Sequence, residues 1–394
     1  MYLGPITAKY VLGLVIFILL IFHDQKLVMD KCFRVYCIFI INFFISSLVC
    51  GFLNKFFVTF FNYYFIAYVG WRATNLIIQD NKKNVNYIIY LILGIGAFDV
   101  LVTISQMTFN TAWYYPIESF FRFRTQETQM EIIESYAEYR DVLGDAITGV
   151  FGNAIKNGWY LAVCSVLSFV FIQKYKYAVL YVLPVFFLIG VFACQERSAL
   201  AAAVIMISLI CYKIFTNLSF AQKTWFIIIS VGIGAFLVQY FMDYSAANEL
   251  RYSEVGMDDT GRIGIMEKYY SYIISNPLFP NYYDMRAQMI PPPHNILFNA
   301  FVYGGIISFI TICYILKLQF TTFCVIFQNI QLRNNIFFTT SICALVAFTI
   351  NGFFHNQSIV TGELMPWILW SIIYSIYHMH VCDIQKTTLN KYYE

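Results

Sequence analysis

Apolar runs long enough to cross a bilayer follow one another along almost the whole chain, and this succession constrains the fold more than any other feature. They fall at residues 3–22, 35–53, 56–71, 87–107, 159–172, 178–194, 198–212, 224–242, 295–316, 336–353 and 359–381. A hydrocarbon core of about 30 Å needs roughly 20 apolar residues in helical form. Helices satisfy their own backbone polar groups in lipid, and the runs lack the alternation of a membrane barrel. The expected fold is all-α and polytopic, one domain over 1–394 with about eleven transmembrane helices. Composition agrees, since only 12% of the 394 residues are charged, against about 25% in soluble proteins. A soluble enzyme is excluded, and a formal net charge of +3 is too small to mark a nucleic-acid partner.

Sidedness follows from the basic residues, which are retained on the cytoplasmic side in short loops. One set of connections holds Lys26, Lys31, Arg34, Arg72, Lys82, Lys83, Lys174, Lys176, Lys213, Lys223, Lys317, Arg333, Lys386 and Lys391; the other holds only Lys9, Lys55 and Arg197. The C-terminus is therefore expected inside and, with an odd number of spans, the N-terminus outside. The six tryptophans, Trp71, Trp113, Trp159, Trp225, Trp367 and Trp370, fall near the ends of the expected spans and read as interfacial anchors. Residues 10–22 follow Lys9 as a signal-peptide core would, but no small-x-small cleavage site precedes His23 and Asp24, so the segment reads as a span. Cys50, Cys164, Cys194, Cys211, Cys313 and Cys343 sit in or at the ends of apolar runs, without a C-x-x-C pair, and read as small hydrophobes.

Two long segments, 108–158 and 243–294, are expected on the outer (periplasmic) face. The first carries Glu127, Glu131, Glu134, Glu138, Asp141 and Asp145, whose spacing places all six on one helix face. That stripe is either a solvated surface or a lid that contacts sugar or repels acids. The second carries Arg251, Arg262, Lys268 and Arg286. After Gly261, the residues Ile263, Met266, Tyr270 and Ile273 recur at helical spacing, which predicts a short interfacial helix with Arg262 in its first turn. A cation there opposes the helix dipole, which suggests that Arg262 serves an anionic partner.

Three other positions attract chemistry. Asp99 lies within an expected span, where a charge is costly; it is either a proton-relay acid or a carboxylate bonded to a neighbouring helix. Arg197 stands where one apolar run turns into the next, followed by the small residues 199–203 that let helices approach closely. It serves an ion pair or an anion, and its neighbour Glu196 is poorly placed to be the partner because adjacent helical residues diverge. His294 follows Pro291, Pro292 and Pro293 and precedes Asn295, an N-cap residue for the next span. A proline-clamped imidazole at the membrane mouth is either a hydrogen-bonding cap or a general base. His355 is the other histidine expected outside, and neither has metal-ligand spacing.

Taken together, ERSAL at 196–200, TGRIGIMEKYYSYIISNPLFP at 260–280 and HNILFNAFVYGG at 294–305 resemble the O-antigen polymerase and ligase superfamily of bacterial membrane glycosyltransferases. Two departures stand out: Met266 replaces an aromatic residue, and Pro280 and Asn281 replace glycines after Asn-Pro-Leu. The resemblance implies an inner-membrane enzyme with its site facing the periplasm, in which Arg197, Arg262 and Arg286 bind the diphosphate of an undecaprenyl-linked glycan. It implies that His294 activates or orients the acceptor hydroxyl, with Asn295 and Arg251 in support. Diphosphate is a good leaving group that needs charge stabilisation, which arginine's fork supplies. No metal or other cofactor is then expected. The implied partners are the undecaprenyl-diphosphate-linked donor and acceptor, the lipid bilayer, a chain-length regulator and a flippase. The rivals are a ligase that transfers the glycan to lipid A core, a transporter of lipid-linked oligosaccharide, and a non-enzymatic scaffold.

Overall fold

The computed structural model describes residues 8–23, 29–108, 149–151, 153–194, 196–215, 224, 262–287, 293–355 and 357–393. These form helices joined by turns, with no strand among the described residues. In order they are α1 (Ala8–His23), α2 (Lys31–Val49), α3 (Leu53–Thr59), a π-helical turn (Phe60–Tyr64), α4 (Phe65–Asp80), α5 (Asn84–Thr108), α6 (Ala154–Leu167), α7 (Phe169–Tyr175), α8 (Val182–Ala193) and α9 (Arg197–Phe215). After a gap come α10 (Arg262–Ser275), α11 (Tyr282–Ala287), α12 (Ile296–Gln328), α13 (Ile330–Asn334), α14 (Ile336–Gly352) and α15 (Leu364–Tyr393). Four stretches are long and apolar enough to cross a membrane, Lys31–Val49, Asn84–Gln106, Ala154–Tyr175 and Ile296–Gln328, and shorter apolar helices accompany them. The chain is a membrane-embedded helical protein. The apolar run at 224–242, apart from Thr224, and the acidic stripe of the first long segment lie outside the described residues, as do Trp113 and Trp225.

The helices are apolar on two faces for two reasons. On α5 the exposed side chains Tyr87, Leu91, Ile95, Phe98 and Leu101 recur at steps of three and four, while Val85, Ile89, Ile92, Leu93 and Val100 are buried. One stripe meets protein and the other faces lipid, so no polar face is required. The bundle is built from α12 against α2, α15 against α4, and α14 against α15, α6 and α9, with α8 closing on α6. Ala199, Ala202 and Ala203 are buried on α9, as the small-residue run predicts.

Several boundaries differ from expectation. The span expected to end at residue 71 continues as α4 to Asp80, so Arg72 is not in a connecting loop. It is buried within α4, its Nη1 3.3 Å from Asn75 Oδ1, and Asn75 in turn donates to Ser375 on α15 at 2.9 Å. The arginine's polar neighbours let a charge continue a helix that hydropathy would terminate. Trp71, Trp159, Trp367 and Trp370 are buried in the bundle rather than forming an interfacial belt. Phe33 stacks on Trp71 at 5.1 Å and packs edge-on against Trp367 at 4.8 Å; ring packing claims them because a helix end inside a bundle is not a lipid interface. Helix α6 starts at Ala154, capped by Asn153, so the first long segment ends earlier than residue 158.

Asp99 is fully buried. Its carboxylate accepts from the Val150 amide at 2.7 Å and, with the Asn157 amide correctly oriented, from α6 as well. The acid thus ties α5 to the turn before α6, in line with a carboxylate bonded to its neighbours. The nine cysteines whose side chains the structure describes are all free thiols, five of them buried and none paired.

Candidate functional site

Glu196, His294 and His355, all expected on the outer side, come together at one end of the bundle, where α8 turns into α9, α6 and α12 begin, and α14 ends. Glu196 immediately precedes α9 and lies over Gly158 of α6; a Cβ at Gly158 would stand 2.6 Å from Glu196 Cβ. Only glycine leaves room for the acid to cross that helix. The Glu196 carboxylate meets His355 Nε2 at 2.8 Å, with the two side chains only 11% and 10% exposed. His355 stands just past α14. Asn351, on the last turn of α14, accepts from Ser198 on α9 at 2.6 Å. Lys156 of α6 pairs with Glu363, before α15, at 3.4 Å. Polar contacts thus join α9 to α14, and α6 to the turn before α15, at this end.

His294 enters the same place from the second long segment. It follows buried Pro293 and has φ +38°, a left-handed conformation that costs a non-glycine residue of the order of 1–3 kcal/mol. Its ring lies 6.3 Å from that of His355, edge to face at 80°. Asn295 caps α12 as expected, accepting from the Leu297 and Phe298 amides at 2.9 and 3.3 Å, and donates to the Phe353 carbonyl at 3.2 Å. One side chain thus starts α12 and ties it to the end of α14, beside His355.

The glycine pair does not continue the helix. Gly304 and Gly305 have non-helical dihedrals inside α12, and Gly305, at φ +68°, lies against the Pro277 and Leu278 carbonyls, where a Cβ would come within 2.5 and 2.4 Å. The Ile306 amide donates to Pro277 at 3.0 Å, Ser46 of α2 donates to the Pro280 carbonyl at 2.9 Å, and Asn42 donates to the Gly304 carbonyl. The Asn-Pro-Leu-Phe-Pro turn after α10 is thereby seated on the kink of α12. The distant motifs at 260–280 and 294–305 are consequently one structural unit.

The other candidate residues are distributed as follows. Arg197 is the first residue of α9 and exposed, one position from Glu196. Arg262 opens α10 as expected, and Arg286 lies in α11; their side chains, and Arg251 altogether, lie outside what the structure describes. Of the apolar positions expected along α10, Ile273 packs inward and Tyr270 does not. Tyr269 is fully buried while Tyr270 is 60% exposed, because Tyr269 packs with Val302 of α12. The pairing of Glu196 with His355 was not legible, though both residues flank spans on the expected outer face. Among the described residues no group of three or more His, Cys, Asp or Glu side chains is arranged to hold a metal ion. No family model, curated protein or solved structure matches the chain significantly.

Proposed function

We propose that the protein is a membrane glycosyltransferase that polymerises oligosaccharide repeat units carried on undecaprenyl diphosphate into O-antigen or a related surface polysaccharide. In this reading it lies in a bacterial inner membrane with about eleven spans and works at the periplasmic face. Arg197, Arg262 and Arg286 hold the donor diphosphate, with Arg251 in support, and His294 takes the proton of the acceptor hydroxyl. The oxygen lone pair attacks the anomeric carbon, the bond from that carbon to phosphate breaks, and the electron pair leaves with the diphosphate. Arginine forks stabilise the charge that develops there. A chain-length regulator and a flippase are the expected partners.

One observation carries this reading: the starts of two motifs, Glu196 beside Arg197 and His294 beside Asn295, flank the same histidine, His355. The site lies at a helix-bundle mouth, where a polyprenyl tail stays in lipid while its headgroup is handled in water.

The test is a deletion strain complemented with variants and scored by its polysaccharide ladder. A polymerase defect leaves core carrying a single unit, and His294→Ala is expected to reproduce it at normal membrane abundance. Bare core with accumulated lipid-linked polymer would instead identify a ligase. A full ladder from His294→Ala would sink the enzymatic role assigned to that residue. Arg197→Lys and Arg262→Lys are expected to shorten or abolish the ladder, because a point charge lacks the bidentate fork.

A further inference from the structure

The end of the bundle remote from His294 and His355 carries a cluster that the proposed reaction does not use. Lys174, on the last turn of α7, donates to Asn86 Oδ1 at 2.9 Å and to the Tyr90 hydroxyl at 2.6 Å, both on α5. Its ammonium lies 5.2 Å from the ring centres of Tyr90 and Tyr175. The two phenol oxygens are 3.1 Å apart, and Tyr90 stacks on Phe171 with ring centres 4.9 Å apart. Asn86 also donates to the Lys83 carbonyl at 2.9 Å, so one amide side chain brings Lys83 beside Lys174. Lys176 directly follows α7. These contacts hold positive charge in place without neutralising it. Asn86 and Tyr90 take two of the ammonium's three hydrogens, and neither is an anion. Lys83, Lys174 and Lys176 are exposed, and none of them makes an ion pair among the described residues; Asp80, the nearest acid along the chain, is paired with none of them. Fixing a rotamer-rich side chain costs entropy and like charges repel, so the arrangement calls for an anion.

The depth of the cluster identifies what carries that anion. Asn86 and Tyr90 flank Tyr87, the first residue of the exposed, lipid-facing stripe of α5. Tyr175 and Tyr177, at the end of α7 and just past it, are exposed too, and tyrosines favour the level where hydrocarbon gives way to headgroups. A soluble anion would meet the lysines and leave the stripe untouched. A lipid matches both, with its phosphate on ammonium and phenol hydrogens and its acyl chain along α5. Basic pockets between membrane helices on the cytoplasmic side bind anionic headgroups in this way, whereas a zwitterionic lipid would add its own ammonium to three already there. We infer that Lys83, Lys174 and Lys176, with the Tyr90 and Tyr175 hydroxyls, form a headgroup site for an anionic phospholipid in the leaflet on the Lys- and Arg-rich side. The site is independent of the glycosyltransferase reading.

Native mass spectrometry of the purified full-length protein, titrated with phosphatidylglycerol and with phosphatidylethanolamine of the same acyl chains, tests this. Phosphatidylglycerol is expected to bind about tenfold more tightly or better. One lysine near the surface contributes about fivefold to anionic-lipid binding. Lys174→Gln is therefore expected to weaken phosphatidylglycerol binding about fivefold, and the triple variant Lys83→Gln, Lys174→Gln, Lys176→Gln about 100-fold, with phosphatidylethanolamine binding unchanged. Tyr90→Phe keeps every charge but removes the hydroxyl that holds Lys174, and is expected to cost about threefold. Lys317→Gln, at an exposed lysine of α12 expected on the same side, is the control for charge alone and should stay within about twofold of wild type. Equal affinity for the two lipids, wild-type binding by the triple variant, or the same loss from Lys317→Gln as from Lys174→Gln overturns the site. If the triple variant does not purify, Lys174→Gln and Tyr90→Phe decide: losses in both support the site, and wild-type binding in either overturns it.

Discussion

Asn295 carries two structural tasks in one amide, and the consequences are separable. Asn295→Ala removes the cap of α12 and the tie to Phe353, and is expected to cost about 1–2 kcal/mol, read as a lower unfolding temperature in detergent. Asn295→Asp keeps the cap oxygen but not the donor to Phe353, so it should restore part of the stability; full loss in both would mean that the cap contributes nothing. Asp30 is a second capping acid with a pH signature. It accepts from the Phe33 amide at 2.6 Å and from the Trp370 indole, joining α2 to α15. Burial holds its carboxyl above the usual carboxylate range, against the pull of the Phe33 and Trp370 hydrogen bonds and of Arg34. The folded state therefore binds this proton more tightly than the unfolded chain does. Its contribution is fully present below the unfolded value of about 3.9 and is lost as pH rises through the higher folded value. Asp30→Asn should flatten that part of the stability profile, and an unchanged slope would show that another group governs it. The capping role of Asn295 was legible because a cap is a local pattern. The Glu196–His355 pair was not, because its partners meet only after α6, α9 and α14 have packed.

At the scale of elements, the kink in α12 decides how the second long segment meets the membrane. Gly305→Ala puts a Cβ against two carbonyls at a positive φ, so it is expected to destabilise by more than the ~1 kcal/mol usually at stake in a glycine substitution. Gly94→Ala is the control, since a Cβ there meets nothing within 4 Å and helix propensity gains about 1 kcal/mol. Comparable unfolding temperatures for the two variants would remove the kink's claimed role in seating the 276–280 turn. Among the described residues hydropathy found apolar helices, four of them long enough to cross a membrane, because lipid-facing and buried stripes are both apolar. It placed the end of α4 too early for the same reason: Arg72 broke the apolar run without breaking the helix, since Asn75 and Ser375 supply polar company inside the bundle. Along α10, Ile273 packs inward as its spacing suggests but Tyr270 does not. Tyr269 and Tyr270 have the same polarity, and only the Tyr269 contact with Val302 distinguishes them.

For the whole molecule, the proposed chemistry requires the cross-linked end of the bundle to face away from the cytosol. Membrane insertion itself leaves both orientations open, and the apolar core looks alike from either side. The bias of Lys and Arg toward one set of loops is the physical asymmetry, because moving basic residues across the membrane during insertion is disfavoured. Lys82 lies exposed in the turn between α4 and α5, and Lys156 at the start of α6; α5 runs between these two ends. In a chain with Cys50 and Cys382 replaced by alanine, Lys156→Cys is expected to react with a membrane-impermeant maleimide in intact spheroplasts, and Lys82→Cys only after the membrane is permeabilised. Lys156 pairs with Glu363 and not with Glu196 or His355, so its substitution is expected to leave that pair in place and the labelling to report sidedness. The reverse labelling pattern would put His294, His355 and Glu196 on the cytosolic side, where a polymerase using flipped lipid-linked units cannot work, and the proposed function would fall even if His294→Ala proved inactive.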